Sequence, residues 1–164
     1  MRTGFTATLL LTVTAALLGC SSSTAQTNYR DVTDTHVPSA PELHALDATF
    51  TDVDDDGDLD AILAVEMGVN RLYLNDGSGH LSYEEGVFGE GAYDTEHVVA
   101  TDFNKDGIED VIFVAEDDQT HQFFIGEANG NFTDATDRLP AMSEGNALAV
   151  GDLNGDDLPE YSGW

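Results

Sequence analysis

Basic residues are scarce in this chain: 5 Lys and Arg stand against 32 Asp and Glu across 164 residues, a formal net charge of −27. A surface so acidic repels phosphate backbones and anionic lipid, which excludes nucleic-acid binding and electrostatic docking on membranes. Cysteine is nearly absent, and a single Cys20 rules out an intrachain disulfide and a cysteine-based zinc site. The apolar run from Phe5 to Leu18 is about 14 residues, short of the roughly 20 that a helix needs to cross ~30 Å of hydrocarbon. The five histidines (His36, His44, His80, His97 and His121) show no metal spacing, and no nucleophile setting surrounds a Ser or Cys. Carboxylates are so plentiful that no one pair stands out as an acid and base. The expectation is a protein that is not an enzyme.

What is present is mostly aspartate. The chain has 21 Asp and 11 Glu, and Asp favours turns where Glu favours helices, so the excess points to loop-rich all-β architecture. Segments such as Asp110-Val-Ile-Phe-Val-Ala115 are too apolar to remain solvated, which excludes disorder. The length suits one domain.

Residues 1–19 read as an export signal, with Arg2 at the positive end of the apolar run. The run ends in Leu17-Leu18-Gly19-Cys20. This resembles the lipobox of bacterial lipoproteins and implies that Cys20 is lipidated and begins the mature chain. More than one acyl chain makes such an anchor stable. Residues 20–27 are then the lipidated Cys and a flexible polar tether. Ser21 after the Cys implies delivery to the outer membrane or cell surface.

From residue 28 to 164 the chain repeats itself. Three segments align: Asp52-Val-Asp-Asp-Asp-Gly-Asp-Leu-Asp60, Asp102-Phe-Asn-Lys-Asp-Gly-Ile-Glu-Asp110 and Asp152-Leu-Asn-Gly-Asp-Asp-Leu-Pro-Glu160. An apolar run of strand length follows each of the first two, Ala61–Val65 and Val111–Ala115. Further strand-like segments, Arg71–Leu74 and His121–Ile125, lead into turns rich in Gly and Asn. Each period therefore holds four short antiparallel strands, the signature of a β-propeller blade. Asn28–Thr33 parallels Asn131–Thr136 and is expected to be the fourth strand of an earlier blade. Two full blades, about 44–87 and 96–136, and a first strand with its loop complete the chain.

Oxygen ligands at alternate positions with a bend at the sixth wrap a loop around a hard cation. Ca²⁺, which takes 6 to 8 oxygens, suits such a set. The expected ligands are Asp52, Asp54, Asp56 and Asp60 with the carbonyl of Asp58, and Asp102, Asn104, Asp106 and Asp110 with that of Ile108. In the third loop they are Asp152, Asn154, Asp156 and Glu160 with the carbonyl of Leu158. Asp157 replaces the bending glycine there, which makes the third site the weakest. An EF-hand needs Glu at its twelfth position, and Leu63, Phe113 and Gly163 stand there instead. A solvated acidic turn is the metal-free alternative for any one loop, while three in register favour up to three structural Ca²⁺ ions.

The acidic loop between two strands, with the downstream hairpin Leu72-Tyr-Leu-Asn-Asp-Gly-Ser-Gly-His-Leu81, resembles the FG-GAP/VCBS repeat family, which includes the integrin α-subunit propeller. The resemblance implies a Ca²⁺-stabilised propeller, usually of seven blades, used for adhesion or recognition. Little more than two blades are present, so the expectation is a propeller fragment, with self-association of several chains as the alternative. The expected partner is a surface protein or glycan, with membrane contact through the lipid anchor alone and no nucleic acid. The runner-up function is the propeller part of a carbohydrate-active enzyme such as a polysaccharide lyase.

Overall fold

The computed structural model of the chain describes residues 30–40, 43–116, 120–139 and 145–163. The expected signal peptide, Cys20 and the tether lie outside the described residues. The chain divides into two units, Met1–Asp31 and Val32–Trp164, and the architecture below is that of the second. Among the described residues, no helix is long and apolar enough to cross a membrane.

Ten strands follow in order among the described residues. The first repeat holds β1 (Ala45–Thr51), β2 (Asp60–Gly68), β3 (Arg71–Asn75) and β4 (Leu81–Glu84). The second holds β5 (Tyr93–Thr101), β6 (Asp110–Ala115), β7 (Gln122–Glu127) and β8 (Asn131–Asp134), and the third β9 (Leu148–Gly151) and β10 (Glu160–Gly163). All neighbours within a repeat pair antiparallel in chain order. The register repeats as well: Thr51 faces Asp60, Thr101 faces Asp110 and Gly151 faces Glu160. Even the bulges recur, between Ala45 and Asp47 and between Thr95 and His97. A short pairing of Glu66 with Asp94 and Gly68 with Tyr93 joins the first two meanders into one eight-stranded sheet. The result is a curled antiparallel sheet, a partial β-propeller of two four-stranded blades and the first two strands of a third.

The blades stack through apolar faces. In β2 and β6 neighbouring side chains on both faces are buried, as expected of a strand that reads as a continuous apolar run. Ile62, Ala64 and Leu72 of the first blade meet Val98, Val111, Phe113 and Phe124 of the second. Phe88, on the connection between the blades, fills the centre of this core. Its ring lies 4.9 Å from Phe113 and 5.1 Å from Phe124. The opposite face of the second blade, Ile112 and Val114, packs with Leu148 of the third. Burying a side chain of this size stabilises by about 1.5–3 kcal/mol, so these two interfaces carry most of the hydrophobic stabilisation.

Polar links fix the stacking angle. Asn70 is buried; its Oδ1 accepts from Val65 N–H (2.9 Å) and its Nδ2 donates to Gln122 Oε1 (3.0 Å) and Thr95 Oγ1 (3.3 Å). Asp47 accepts from Val98 N–H at 3.1 Å and lies 2.5 Å from His97 Nδ1. The His97 Nε2 is 3.2 Å from the Leu148 carbonyl, which carries the link on to the third repeat.

The N-terminal strand is a correction. Of the expected strand, Asn28 and Tyr29 lie outside the described residues, Arg30–Val32 carries no strand, and Thr33–His36 is a single helical turn, α1. The alignment that suggested the strand holds on its other side. Thr33 aligns with Thr136, and Thr136–Arg138 forms a 3-10 turn in which the Thr136 carbonyl accepts the closing N–H, as the Thr33 carbonyl does in α1. A strand is defined by its ladder, whereas a turn closes on itself. Here Val32 and Thr33 accept from His36 (2.9 Å) and Val37 (3.1 Å). The His36 ring stacks on His80 at 4.1 Å and holds the turn against the β3–β4 hairpin.

Candidate metal centre

Each acidic loop is wound around its first aspartate. Asp52 accepts from the N–H groups of Asp56 (3.1 Å) and Gly57 (2.9 Å), and Asp102 from those of Asp106 (3.2 Å) and Gly107 (2.8 Å). Asp152 accepts from Gly155 (2.6 Å) and Asp157 (2.9 Å). The fifth residue repeats the device two positions on: Asp56 holds Asp58 N–H (3.0 Å), Asp106 holds Ile108 (2.9 Å) and Asp156 holds Leu158 (2.8 Å). These are the residues whose carbonyls were expected as ligands, so side chains of the loop itself hold its backbone at those positions.

The turn uses two left-handed residues, of which sequence reasoning identified one. At the sixth position φ is +96° for Gly57, +89° for Gly107 and +65° for Asp157. At the fourth it is +61° for Asp55, +62° for Lys105 and +82° for Gly155. The third loop has thus exchanged its residues, placing glycine at the fourth position and Asp at the sixth.

The ninth residue closes the loop. Asp60 and Asp110 are fully buried, and both oxygens of each accept backbone N–H groups. Asp60 takes Val53 (2.9 Å) and Asn75 (2.8 Å); Asp110 takes Phe103 (3.1 Å) and Gly126 (2.9 Å). They tie each loop to the far end of β3 or β7. In the third loop Glu160 accepts from Leu153 N–H (2.7 Å), and its other oxygen bonds the Asn154 amide.

The third residue separates the loops. Asn104 and Asn154 spend their oxygens on the N–H groups of Asp106 (2.8 Å) and Asp156 (2.9 Å). In the first loop the Asp54 Oδ1 is buried and has no hydrogen-bond partner. The Asp54 carboxylate converges with those of Asp52 and Asp56, one oxygen of each lying within 4.8 Å of the others. Loss of water pushes the Asp54 carboxyl above its ordinary range, and the charges of Asp56 and Asp60 push it further. Burial likewise raises Asp110, against the pull of the Gly126 and Phe103 amides. Asp152 is lowered, chiefly by the Gly155 amide. An orphaned carboxylate oxygen among repelling carboxylates fits a hard divalent cation, so the first loop is the one whose geometry matches the expected ion best.

Two further features were not visible in the sequence. Glu66, Asp94 and Glu96 bring carboxylate oxygens within 4.8 Å, across the short β2–β5 pairing that no local pattern announces. A cleft of about 690 Å³ opens beside the first loop, lined by Asp54, Asp55, Leu59, Glu109 and Asn129 among others. Burial raises the Glu109 carboxyl, with Asp102 and Asp110 adding to it.

A comparison with curated proteins finds no match. The FG-GAP-like repeat profile matches residues 52–113 and again 102–161, about two-thirds of the chain in all. Each match begins on the first aspartate of an acidic loop and crosses into the next. By its repeated loops, its blade register and this match, the chain belongs to the FG-GAP-like repeat family.

Proposed function

We propose that this chain is a non-enzymatic recognition or adhesion module whose acidic loops bind Ca²⁺, exported and held at the cell envelope by lipid on Cys20. The observation that carries the metal reading is the convergence of the Asp52, Asp54 and Asp56 carboxylates, in which the buried Asp54 Oδ1 has no hydrogen-bond partner. Asp52, Asp54 and Asp56 would hold the ion in the first loop, with Asp60 and the Asp58 carbonyl completing the set. Asp102, Asn104, Asp106, Asp110 and Ile108, and then Asp152, Asn154, Asp156, Glu160 and Leu158, form the weaker sites. Their third-position oxygens already accept backbone bonds. The ion supplies charge neutralisation and rigidity rather than reaction chemistry. Extracellular modules bind Ca²⁺ at about 10⁻⁴–10⁻³ M, so about 1 mM Ca²⁺ stabilises the fold by roughly 0.4–1.4 kcal/mol per site.

Calorimetry tests the reading. Ca²⁺ titrated into the folded chain should release or absorb heat beyond a Mg²⁺ control, and no difference would refute the metal site. A binding screen against glycans and matrix proteins, with Ca²⁺ or with chelator, tests recognition. Fatty-acid labelling that disappears in Cys20→Ser tests the anchor.

A further inference from the structure

The first and second acidic loops grip the same short piece of chain, the end of the β7–β8 hairpin. Asn129 and Gly130 turn this hairpin with φ at +65° and +71°, left-handed values that suit Asn and Gly. The turn belongs to the second blade but lies against the first loop, where the Gly130 N–H donates to the Val53 carbonyl at 3.1 Å. The fit is close, since a Cβ at Gly130 would touch the side chains of Val53 and Asp54. Val53 stands between two expected ligands, Asp52 and Asp54, and its own N–H donates to Asp60 (2.9 Å).

Just behind the turn, the second loop holds the same hairpin. The Gly126 N–H donates to Asp110 (2.9 Å), whose other oxygen accepts the Phe103 N–H (3.1 Å). Gly126 also abuts the Glu109 carbonyl and the side chain of Ile108, whose carbonyl is an expected ligand. A line of hydrogen bonds therefore runs from Asp60 through Val53 to Gly130, and from Gly126 through Asp110 to Phe103. Residues 126–130 alone join its two halves.

We infer that the first and second loops bind Ca²⁺ cooperatively, with residues 126–130 carrying the coupling. The inference rests on the Ca²⁺ reading above and adds how its sites act on one another. To hold an ion, Asp52 and Asp54 must be fixed in place, and Val53 between them is fixed with them. A fixed Val53 carbonyl fixes Gly130, and the hairpin end then presents Gly126 to Asp110 and Ile108 already placed. The second loop therefore loses less conformational freedom when it closes. Linkage makes the effect reciprocal, so either loop helps the other. Repulsion between two bound cations acts the other way, which makes the sign of the coupling part of the test.

The test is a Ca²⁺ titration of the isotope-labelled full chain, followed by amide NMR. The Gly57 and Gly107 N–H groups, held by Asp52 and Asp102, report the two loops separately. Asp54→Asn should abolish the Gly57 response and raise the Gly107 midpoint by at least about fivefold. Asp106→Asn should abolish the Gly107 response and raise the Gly57 midpoint by the same factor. A lost charge alone would also weaken a neighbouring cation site, so the hairpin is tested by itself in a double-mutant cycle. A β-branched residue does not sit comfortably at a φ of +71°, so Gly130→Val should lift the turn off Val53. In that background Asp54→Asn should leave the Gly107 midpoint where it was. Gly89→Val brings the same strain at φ +80°, where nothing lies within 4 Å, and should keep the shift. If Gly130→Val does not fold, Gly126→Ala displaces the hairpin from the second loop instead. No Ca²⁺ response at Gly57 or Gly107 in the wild type would overturn the metal reading and this inference with it. Responses at both loops, with a Gly107 midpoint unmoved or lowered by Asp54→Asn, would overturn the coupling alone. A shift that survives loss of the hairpin contact would overturn the role of residues 126–130.

Discussion

Asp60 and Asp54 share the proposed ligand set but differ in what their oxygens already hold, and substitution should separate the two cases. Asp60 is fully buried and accepts a backbone N–H on each oxygen. An amide in its place turns an NH₂ toward one of those donors and leaves it unpaired. Asp60→Asn should therefore cost about 1–3 kcal/mol by urea unfolding, with or without Ca²⁺. Asp54 is the reverse case, a carboxylate repelled by its neighbours with its Oδ1 left without a partner. Asp54→Asn should leave the metal-free protein as stable or slightly more so, and should remove the Ca²⁺-induced rise in melting temperature. A full Ca²⁺ response in that variant would take Asp54 out of the ligand set. Asp157 offers a third test, since it holds φ at +65° where the other loops have glycine. Asp157→Gly should stabilise the third loop by up to about 1 kcal/mol, read from amide exchange across β9 and β10.

At the scale of elements, the β3–β4 hairpin and the β7 strand carry their own constraints. Asp76 caps the hairpin turn by accepting from Ser78 N–H (2.9 Å), Ser78 Oγ (2.7 Å) and His80 N–H (3.2 Å). These bonds, the Ser78 hydroxyl first, lower its carboxyl below the ordinary 3.8. A lowered folded value means that the contribution is present above the unfolded value and is lost as pH falls through the folded one. The hairpin should thus loosen only in acid below about pH 3.8, as faster exchange of the Ser78 and His80 amides, and loosening at neutral pH would contradict it. In β7, Gly126 faces loop two so closely that an added Cβ would meet the Glu109 carbonyl and the Ile108 side chain. Gly126→Ala should destabilise by about 1–3 kcal/mol through overpacking.

The whole molecule is held by contacts between repeats. Asn70 bonds the first blade's own β2 and reaches Thr95 and Gln122 of the second. Removing its amide strands the Val65 N–H and the Gln122 oxygen in the core. Asn70→Ala should cost about 2–4 kcal/mol and broaden the unfolding transition as the blades cease to melt together. A variant that still unfolds in one sharp step near the wild-type midpoint would show that the apolar core alone couples them.

Much of this was legible in the chain itself. The spacing of Asp52, Asp102 and Asp152 announced the repeat, and alternating oxygen-bearing residues announced the wound loops, because both are local patterns that the backbone obeys directly. Antiparallel register followed, since the apolar runs after each loop have one way to pair across it. In the described part of the expected N-terminal strand, residues 30–33, no ladder forms, because pairing needs a neighbour and no local pattern supplies one. Phe88 at the centre of the core, Asn70 between the blades and the Glu66–Asp94–Glu96 group were hidden for the same reason. Their partners lie far along the chain and meet only once the blades stack. The sequence alone determined the loops and the blades, since neighbouring residues dictate turn and strand. Only the tertiary structure decided which carboxylates are buried pins, which oxygen lacks a partner and which aromatic ring fills the core between the blades, because burial is a property of the assembled stack.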